Sequence, residues 1–498
     1  MATVKIDTFH GIAPRNHPSQ LADGMAVLAH NCRLKTGKLV PIHEPLKLVG
    51  KMIRLENGLT RIRDAKSIHI WRKKQKIGDS DIEFLAYPGI THVAASNIAD
   101  DEYDRIFLSG ETGVEFDDGE KVWPNAPAVL MSHLNTNSII RHCICKRNLP
   151  APKLTLADGG RADPDNIQET FYFQTWVDQY GYESGVSPQS VCRYGIDEEY
   201  KAEPLQYNDG DRVTIAALEE SEVPNGGGTV DNPKPGYKRR IYKVWVGNET
   251  ASINFVTEFA DAPWQEHTIT IDDENNGEVL TELRSPPGDL TNMTFMPGDR
   301  GFYVGYSKSR PKTVMFSDID IPVSWPIDFQ YDIDENIVGL AVTANSVFVL
   351  TEGNPWVFSG TEPVSMTSVH LASSMSCVSE RSICAYNNRV FFASNVGIGM
   401  IYNDATSGTV VTNLTEKIFT KEQWQAYNPS SCLMRIYDDA LHLFFTISGE
   451  GGVSHKGLII DMNENMDAVT THSEEATCLC TDNKTDTLYY VRTQDGEV

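Results

Sequence analysis

The sequence between Pro287 and Val411 repeats one pattern three times, and this repetition restricts the folds open to the chain. In each repeat a short apolar run leads through a polar turn into a second apolar run. The middle runs of the last two repeats read SVFVLTEG and RVFFASNVG. Each repeat is roughly 40 to 45 residues long, the size of a four-stranded blade of a β-propeller. The pattern therefore predicts an all-β fold with propeller-like blades.

The distribution of candidate strands divides the chain into four regions. We predict an N-terminal docking arm at 1–45, a first part of the propeller at 46–150, an insert at 151–285, and the remaining blades with the closure at 286–498. The insert holds five or six candidate strands in about 115 residues, which is typical of a fibronectin-like or immunoglobulin-like β-sandwich. About two blades precede the insert and about three follow it, so five to seven blades are expected. Closure of the ring would bring residues 38–55 to residues 476–491.

The N-terminal arm combines an extended entry with one candidate helix. Pro14 and Pro18 favour extended backbone before them, and Ser19 is a suitable cap for a short helix over Gln20–His30. The apolar face of that helix would consist of Leu21, Met25, Leu28 and Ala29. Such a helix is too short to be stable alone. We therefore expect the arm to dock, and we expect the arm and the insert to carry contacts between subunits or rings.

The charge and cysteine content exclude several classes of function. With 68 acidic against 43 basic residues the formal net charge is −25, which disfavours tight binding to nucleic acids or anionic membranes. No apolar run reaches 18 residues, so no membrane-spanning segment is expected. The nine cysteines include two C-x-C pairs, Cys143/Cys145 and Cys478/Cys480. A C-x-C pair can bind a metal, but without a set of histidine partners we predict buried small side chains.

No catalytic motif is present, and we predict no catalytic residue, no cofactor and no metal site. The acidic clusters are best explained as solvated turns, including Asp332, Asp334 and Glu335, which lack the glycine and closing glutamate of a calcium loop. The glycine-rich stretch at 224–228 lacks the Lys-Ser/Thr of a phosphate cradle and is expected to be a hairpin loop. The basic run Arg72–Lys76 is placed at a hairpin tip. It either blunts an edge strand or contacts an acidic partner or a phosphate backbone.

Several segments, in the same order, resemble the tail hub or nozzle proteins of short-tailed bacteriophages. The similarity covers the arm with FHGIAPR and NCRL, FQTWVDQYGYESGVSPQS in the insert, and RRIYKVW further along. It continues through GEVLTELRSPPGDLTNMTFMPGDRGFYVG, FSDIDIPVSWP, VGLAVTANSVFVLTEGNPWVFSGTEPVSM and SCVSERSICAYNNRVFFASNVGI. The resemblance is strongest over 277–398 and weakest over 46–150 and after 430. Its specificity lies in the conserved order of many segments across most of the chain.

The resemblance implies a structural virion protein made in the host cytoplasm and located in the tail. In that family six copies form a ring below the portal and adaptor rings, which prolongs the channel for genome ejection. Tail fibres or tailspikes and a plug or needle attach around the ring. Six copies would carry about six times the net charge of −25, or about −150. Because basic residues would retard a moving polyanion, we expect the lumen to be lined mainly by Asp, Glu and small polar residues.

A second function remains open at the level of the sequence. A propeller can also serve as a receptor-binding tail protein that binds or degrades glycans. Hydrolysis would require a pair of carboxylates in the mouth of the propeller, and carboxylates occur throughout the chain. A smaller helical adaptor protein is disfavoured by the strand-rich pattern.

Overall fold

The computed structural model divides the chain into two compact units. The first comprises 1–143, 287–322 and 327–498, and the second comprises 144–286 and 323–326. The boundaries of the second unit thus lie close to those expected for the insert, with the addition of the short return at 323–326. The structure describes residues 9–35, 38–42, 44–48, 52–77, 80–98, 101–117, 121–132, 139–142, 149–156, 166–178, 181–195, 197–219, 238–246, 251–260, 265–271, 277–280, 283–298, 301–344, 346–404, 406, 408–446, 457–462 and 468–492.

The N-terminal arm contains short strands where a helix was predicted. Its elements are β1 (Gly11–Ile12), a 3-10 helix (Pro18–Gln20), β2 (Met25–Ala26), β3 (Cys32–Lys35) and β4 (Lys38–Pro41). Strands β1 and β2 pair in parallel, and β3 and β4 form a hairpin. The predicted helix over Gln20–His30 is therefore wrong. Gly24 and Asn31 adopt positive φ angles of 82° and 51°, which end regular structure, and Leu28 of the expected apolar face is 58% exposed.

Two sheets precede the insert. The first contains β5 (Met52–Leu55), β6 (Ser67–Ile77) and β7 (Ser80–Tyr87) in the order β5-β7-β6, with a 3-10 helix at Ile62–Asp64. The second uses β8 (Thr91–Ala95), β9 (Ile106–Gly110), β12 (Ala128–Met131) and β13 (Ile139–His142) in consecutive antiparallel order, with the small hairpin β10 (Phe116–Asp117) and β11 (Val122–Trp123) between its middle strands. We call these sheets blade one (52–87) and blade two (91–142).

The second unit is a β-sandwich, as predicted for the insert. One sheet has the order β17-β14-β19-β22, a second has the order β16-β20-β21, and β15 pairs with β18. The strands are β14 (Lys153–Leu156), β15 (Gln168–Thr170), β16 (Tyr172–Val177), β17 (Val191–Arg193), β18 (Leu205–Tyr207), β19 (Arg212–Ile215), β20 (Lys238–Val246), β21 (Ala251–Ala260) and β22 (His267–Thr270). Side chains from these sheets share one core that includes Leu154, Tyr172, Val213 and Ile241.

Four regular four-stranded sheets follow the insert, each with its strands in sequence order. Blade three (290–332) holds β23 (Leu290–Met296), β24 (Phe302–Ser307), β25 (Arg310–Phe316) and β26 (Gln330–Asp332), with a 3-10 helix at Ile327–Phe329. Blade four (337–370) holds β27 (Ile337–Thr343), β28 (Ser346–Thr351), β29 (Trp356–Ser359) and β30 (Thr367–His370), with a 3-10 helix at Pro363–Ser365.

The last blades complete the first unit. After a 3-10 helix at Glu380–Ser382, blade five (384–413) holds β31 (Cys384–Tyr386), β32 (Arg389–Ser394), β33 (Gly397–Asp404) and β34 (Gly408–Asn413). Helix α1 (Lys421–Gln425) and a 3-10 helix (Pro429–Ser431) lead to blade six (433–472), with β35 (Leu433–Tyr437), β36 (Ala440–Phe444), β37 (Gly457–Asp461) and β38 (Val469–His472). Blade seven (476–492) is the hairpin β39 (Ala476–Asp482) and β40 (Thr487–Arg492).

The innermost strands follow one another around a ring. Strands β8, β23, β27, β31, β35, β39 and β6 each contact the next. The ring closes between β6 and β8, where the backbone N–H of Thr91 donates to Ser67 Oγ across 3.2 Å. In the described residues the first unit is therefore propeller-like with seven blades, at the upper limit of the number predicted from the sequence, and three small two-stranded sheets accompany them.

Apolar side chains hold neighbouring blades together, as the second strand of blade four illustrates. Strand β28 is buried at all six positions. Its Val347 and Val349 pack toward blade three, whereas Phe348 and Leu350 pack toward blade five. The alternation of strand side chains between two faces explains why the run SVFVLT is apolar almost throughout. Similar clusters join blades five and six, six and seven, seven and one, and one and two.

Residues near both chain ends meet at the closure. Leu48 and Ile53 pack against the cluster that contains Cys478 and Val491. The predicted contact between 38–55 and 476–491 is thus present, although the strand next to β39 is β6.

The arm is bound to blade six of its own chain. Ala29 accepts a backbone hydrogen bond from Thr471 at 2.9 Å, and Asn31 donates one to the carbonyl of Thr471 at 2.8 Å. Ile12 and Ala29 are buried in the core between blades five and six. The arm therefore forms part of the propeller core, whatever further contacts it makes.

Candidate functional site

The inner strands surround a cavity of about 130 Å³ in the first unit. Six of the seven blades contribute residues, and the segment that precedes blade five contributes Glu380, Arg381 and Ile383. Its charged and titratable lining consists of Lys66, His69, His92, Glu380, Arg381 and Arg435. These residues come from separate parts of the sequence, at 66–69, 92, 380–381 and 435, which lie in or immediately before blades one, two, five and six.

A histidine and a glutamate form the acidic side of the cavity. His92 Nε2 lies 2.7 Å from Glu380 Oε1, and both side chains are 22% exposed. Burial raises the pKa of Glu380, but the attraction of His92 and the hydrogen bonds from His92 and Asn292 outweigh it, so this pKa lies below its ordinary value. Glu380 is thus held as a carboxylate.

Asn292 fixes the position of that carboxylate. The residue has a positive φ of 55° and is buried. Its Oδ1 accepts from the backbone of Leu340 at 2.9 Å, and its Nδ2 donates to Glu380 Oε1 at 3.3 Å. Asparagine tolerates the left-handed region better than most residues. The same amide therefore links blades three and four and orients Glu380.

Two arginines form the basic side of the cavity. Arg381 donates from one terminal nitrogen to the carbonyls of Lys66, at 2.7 Å, and of Thr477. Arg435 donates from Nη1 to the carbonyl of Met434 at 2.8 Å and, more weakly, to that of Arg381 at 3.4 Å. Burial lowers the pKa of Arg381, and Arg435 acts in the same direction, whereas Cys478 and Glu380 act in the opposite one. The two arginines are neighbours in the lining, since Arg435 Nη1 reaches the backbone carbonyl of Arg381.

His69 is held neutral between blades one and two. Its Nε2 is 2.7 Å from the carbonyl of Thr91, so this nitrogen carries the proton and donates. Burial lowers the pKa of His69 to about 3, and the neighbouring His92 acts in the same direction. The lysine, the two arginines and the single glutamate therefore provide the permanent charges of the lining, beside His92, which pairs with Glu380.

The cavity can bind and orient a small polar group, but it lacks the pair of carboxylates needed for glycoside hydrolysis. Glu380 is the only carboxylate among its described lining residues. Two carboxyl groups on either side of the bond are required in that chemistry. The sequence does not predict this cavity. Its lining residues, which range in the sequence from Lys66 to Arg435, come together only when the blades form a ring.

The basic run singled out in the sequence is partly used inside the first unit. Lys73 is buried and forms an ion pair with Glu83, and Arg72 pairs with Asp482 of blade seven. Lys74 is exposed, and its backbone donates to Asp104. The run lies at the end of β6, which extends to Ile77. Residues 78–79, which follow the strand, lie outside the described residues. Its first two side chains thus join neighbouring strands and blades.

The acidic cluster of Asp332, Asp334 and Glu335, which the sequence predicts to be a solvated turn, also has separate partners for two of its carboxylates. Asp332 accepts from Thr313 Oγ1 at 2.6 Å, and Glu335 accepts from Trp356 Nε1 at 3.0 Å. These bonds tie blade edges together. In the part of the chain that the structure describes, no group of three or more His, Cys, Asp or Glu residues is arranged to hold a metal ion.

The described C-x-C pair is buried in the core between blades seven and one. Cys478 and Cys480 both belong to that apolar cluster. Burial raises the pKa of Cys478 to about 11, which keeps it as a thiol. The prediction of buried small side chains is confirmed for this pair, while Cys143/Cys145 and the stretch 224–228 lie outside the described residues. Among the described residues, no helix has the length and hydrophobicity needed to cross a membrane.

Comparison with known proteins yields only distant structural similarity. No protein-family model matches the chain, and no curated protein matches it. PorZ, a surface component of the type-IX secretion system of Porphyromonas gingivalis, aligns at 11% identity with a TM-score of 0.30, over 81% of this chain and 67% of its own. Kluyveromyces lactis Hsv2 aligns at 10% identity with a TM-score of 0.24, over 46% of this chain.

A mutant of the Aleuria aurantia lectin in complex with Fucα1-6GlcNAc aligns at 11% identity with a TM-score of 0.20, over 65% of this chain and 94% of the lectin. The chain spans 57% of the Hsv2 chain it matches. At these levels of similarity no functional property is transferred from these proteins to this chain.

Proposed function

We propose that the protein is a structural component of a short bacteriophage tail, a hub or nozzle subunit that extends the channel for the genome. The observation that carries this proposal is the order of the parts. An arm, two blades, a β-sandwich and the later blades follow one another along the chain, in the order that the sequence resemblance implies.

The construction of the first unit suits a wall element. Apolar clusters join six of the seven pairs of neighbouring blades, and Phe107 of blade two packs against Tyr303 of blade three. The net charge of −25 supports passage of DNA without retention. In this proposal homohexameric rings join a portal-adaptor ring and receive fibres or spikes and a plug or needle, and the subunit resides in the virion tail.

Electron microscopy of the purified full-length protein tests the proposal. Rings of about six subunits with a central opening are the expected result, as implied by the resemblance. A monodisperse monomer at high concentration, which also fails to bind a purified portal-adaptor assembly, would rule out the hub function. In a ring structure, a lumen dominated by Lys and Arg would contradict the expected passage of DNA.

The competing glycan-degrading function is not favoured by the cavity of the first unit, since its described lining holds a single carboxylate. A depolymerase assay on host polysaccharide tests it independently. Activity that is abolished by one carboxylate substitution would replace the structural proposal by a receptor-degrading one.

A further inference from the structure

We propose that the central cavity of the propeller binds a small oxyanion of the phosphate or carboxylate class, held between Arg381 and Arg435. This inference concerns the cavity alone and goes beyond the proposed role in the tail. No residue pattern in the sequence indicated it.

The first argument is the supply of hydrogen-bond donors. A guanidinium carries five N–H donors. Arg381 uses one terminal nitrogen on two backbone carbonyls, and Arg435 uses Nη1 on two others. The Nε and the second terminal nitrogen of each arginine have no hydrogen-bond partner among the described residues, and both side chains line the cavity. Oxyanions match such paired donors in geometry and charge.

The second argument is the rigidity of the two arginines. Their backbone acceptors belong to blade seven, blade six and the segments that precede blades one and five. Each guanidinium is therefore held by the ring of sheets, and ordering it costs little when an anion binds. A flexible surface lysine or arginine would lack this advantage.

The third argument is the charge of the lining. Lys66, Arg381 and Arg435 contribute three positive charges, and Glu380 contributes the single negative charge. That carboxylate is already engaged by His92 and Asn292, so it offers the arginines little compensation. Burial is the main cause of the lowered pKa of Arg381, and Arg435 adds to it; an anion between the two guanidinium groups would favour the charged form of both.

The size of the cavity limits the ligand. At about 130 Å³ it is smaller than the roughly 300 Å³ at which pockets for drug-sized ligands begin. Phosphate, or a short dicarboxylate with a few waters, fits this volume, whereas a nucleotide or an oligosaccharide does not. Bound there, the anion would bridge the segments around blades one, five, six and seven and stabilise the centre of the ring.

Isothermal titration calorimetry on the full-length protein, at constant ionic strength, tests the proposal with inorganic phosphate and with succinate as separate probes. We expect one site per chain, with a dissociation constant in the millimolar range or tighter for at least one probe. Preference for phosphate or for succinate identifies the class. Arg435→Gln should weaken binding by about tenfold or more, the loss of one charge-assisted contact, and Arg435→Lys should retain part of it.

Arg310→Gln is the matched control, because Arg310 is exposed in blade three and its loss removes the same charge away from the cavity. Its binding should equal that of the wild type. Absence of binding by the folded wild-type protein for both probes, or equal binding by Arg435→Gln, would overturn the proposal. If the cavity variants do not fold, a structure of the wild type with phosphate decides, since anion density away from the two guanidinium groups contradicts the assignment. Electron microscopy of ring formation tests the proposed tail function separately from anion binding.

Discussion

His92 and Glu380 are 288 residues apart in the sequence, yet His92 Nε2 and Glu380 Oε1 are 2.7 Å apart at the centre of the propeller. The pair connects the start of blade two, before the insert, with the turn before blade five, after it. The insertion of the sandwich into the sequence therefore does not interrupt the ring of blades. Asn292 of blade three adds a third contact to the same carboxylate.

Glu380→Gln should destabilise the first unit by about 1 to 2 kcal/mol, because a charge-assisted hydrogen bond at a largely buried site is weakened. A double-mutant cycle with His92→Gln should give a coupling energy of about 1 kcal/mol. Since the pKa of Glu380 in the folded protein lies below its ordinary value, this stabilisation is present above the unfolded-state pKa and is lost as the pH falls through the folded one. Denaturant unfolding at several pH values measures both effects.

The control for this cycle is Glu362→Gln, an exposed glutamate in blade four whose side chain makes no capping hydrogen bond. It should change stability by less than about 0.5 kcal/mol. Additive effects of the His92 and Glu380 variants would show that the two side chains do not interact in solution.

Acid should destabilise the first unit through two buried histidines of blade six. Burial lowers the pKa of His442 to about 3 and that of His472 to about 4. Both values lie below the unfolded value of about 6.5, so the unfolded chain takes up protons first. Stability is therefore complete above pH about 6.5 and falls as the pH decreases, by up to about 1.4 kcal/mol per pH unit for each histidine.

Unfolding free energies between pH 7.5 and 4.5 of the His442→Phe variant should show a shallower pH dependence than the wild type. His10→Gln, which alters an exposed histidine of the arm, should leave the slope unchanged. Equal slopes for all three proteins would mean that other groups control the acid transition.

The sequence predicts the blades well because each is a local unit. The run SVFVLT is apolar on both faces, and Val347 and Phe348 indeed pack against different neighbouring blades. In β20 the most deeply buried residues are Ile241, at 0%, and Arg239, at 1% exposed. Hydrophobicity alone could not identify an arginine that lies in the core with side-chain and backbone acceptors.

The structure of the arm and the position of the cavity could not be predicted from the sequence, for different reasons. The spacing of Leu21, Met25 and Leu28 fits a helix, but the backbone instead turns at Gly24 and pairs with blade six, a contact set by tertiary structure. Arg381 and Arg435 belong to separate blades, and their proximity depends on the closure of the whole ring. Local patterns therefore predict elements, whereas the candidate site arises from topology.

Deletion of residues 1–45 should lower the stability of the monomer in addition to any effect on ring formation. The deletion removes Ile12 and Ala29 from the core between blades five and six and exposes the edge of β38, which pairs with Ala29 and Asn31. Burial of a large aliphatic side chain contributes about 1.5 to 3 kcal/mol. Thermal unfolding should show a decrease in Tm, and hydrogen exchange should increase in Val469–His472.

Replacement of Leu28 by Ser is the matched control for the arm, because this side chain is 58% exposed. Its Tm should equal that of the wild type, while Ile12→Ser should reproduce part of the effect of the deletion. Unchanged stability of the deleted protein would show that the arm contributes only to contacts with other subunits.

In the sandwich, Gln174→Leu should destabilise the second unit by about 3 kcal/mol. Gln174 Oε1 accepts from the buried Arg239 Nε at 2.7 Å, and removing an acceptor from a buried charge costs far more than losing an exposed hydrogen bond. Hydrogen exchange should accelerate in Tyr172–Val177 and Lys238–Val246, which pair with each other.

Gln206→Leu is the control, since Gln206 Nε2 donates to Glu169 at an exposed site and its loss should cost less than about 0.5 kcal/mol. Equal exchange in the two variants would show that Arg239 is satisfied by its bond to the Ala216 carbonyl and does not depend on Gln174.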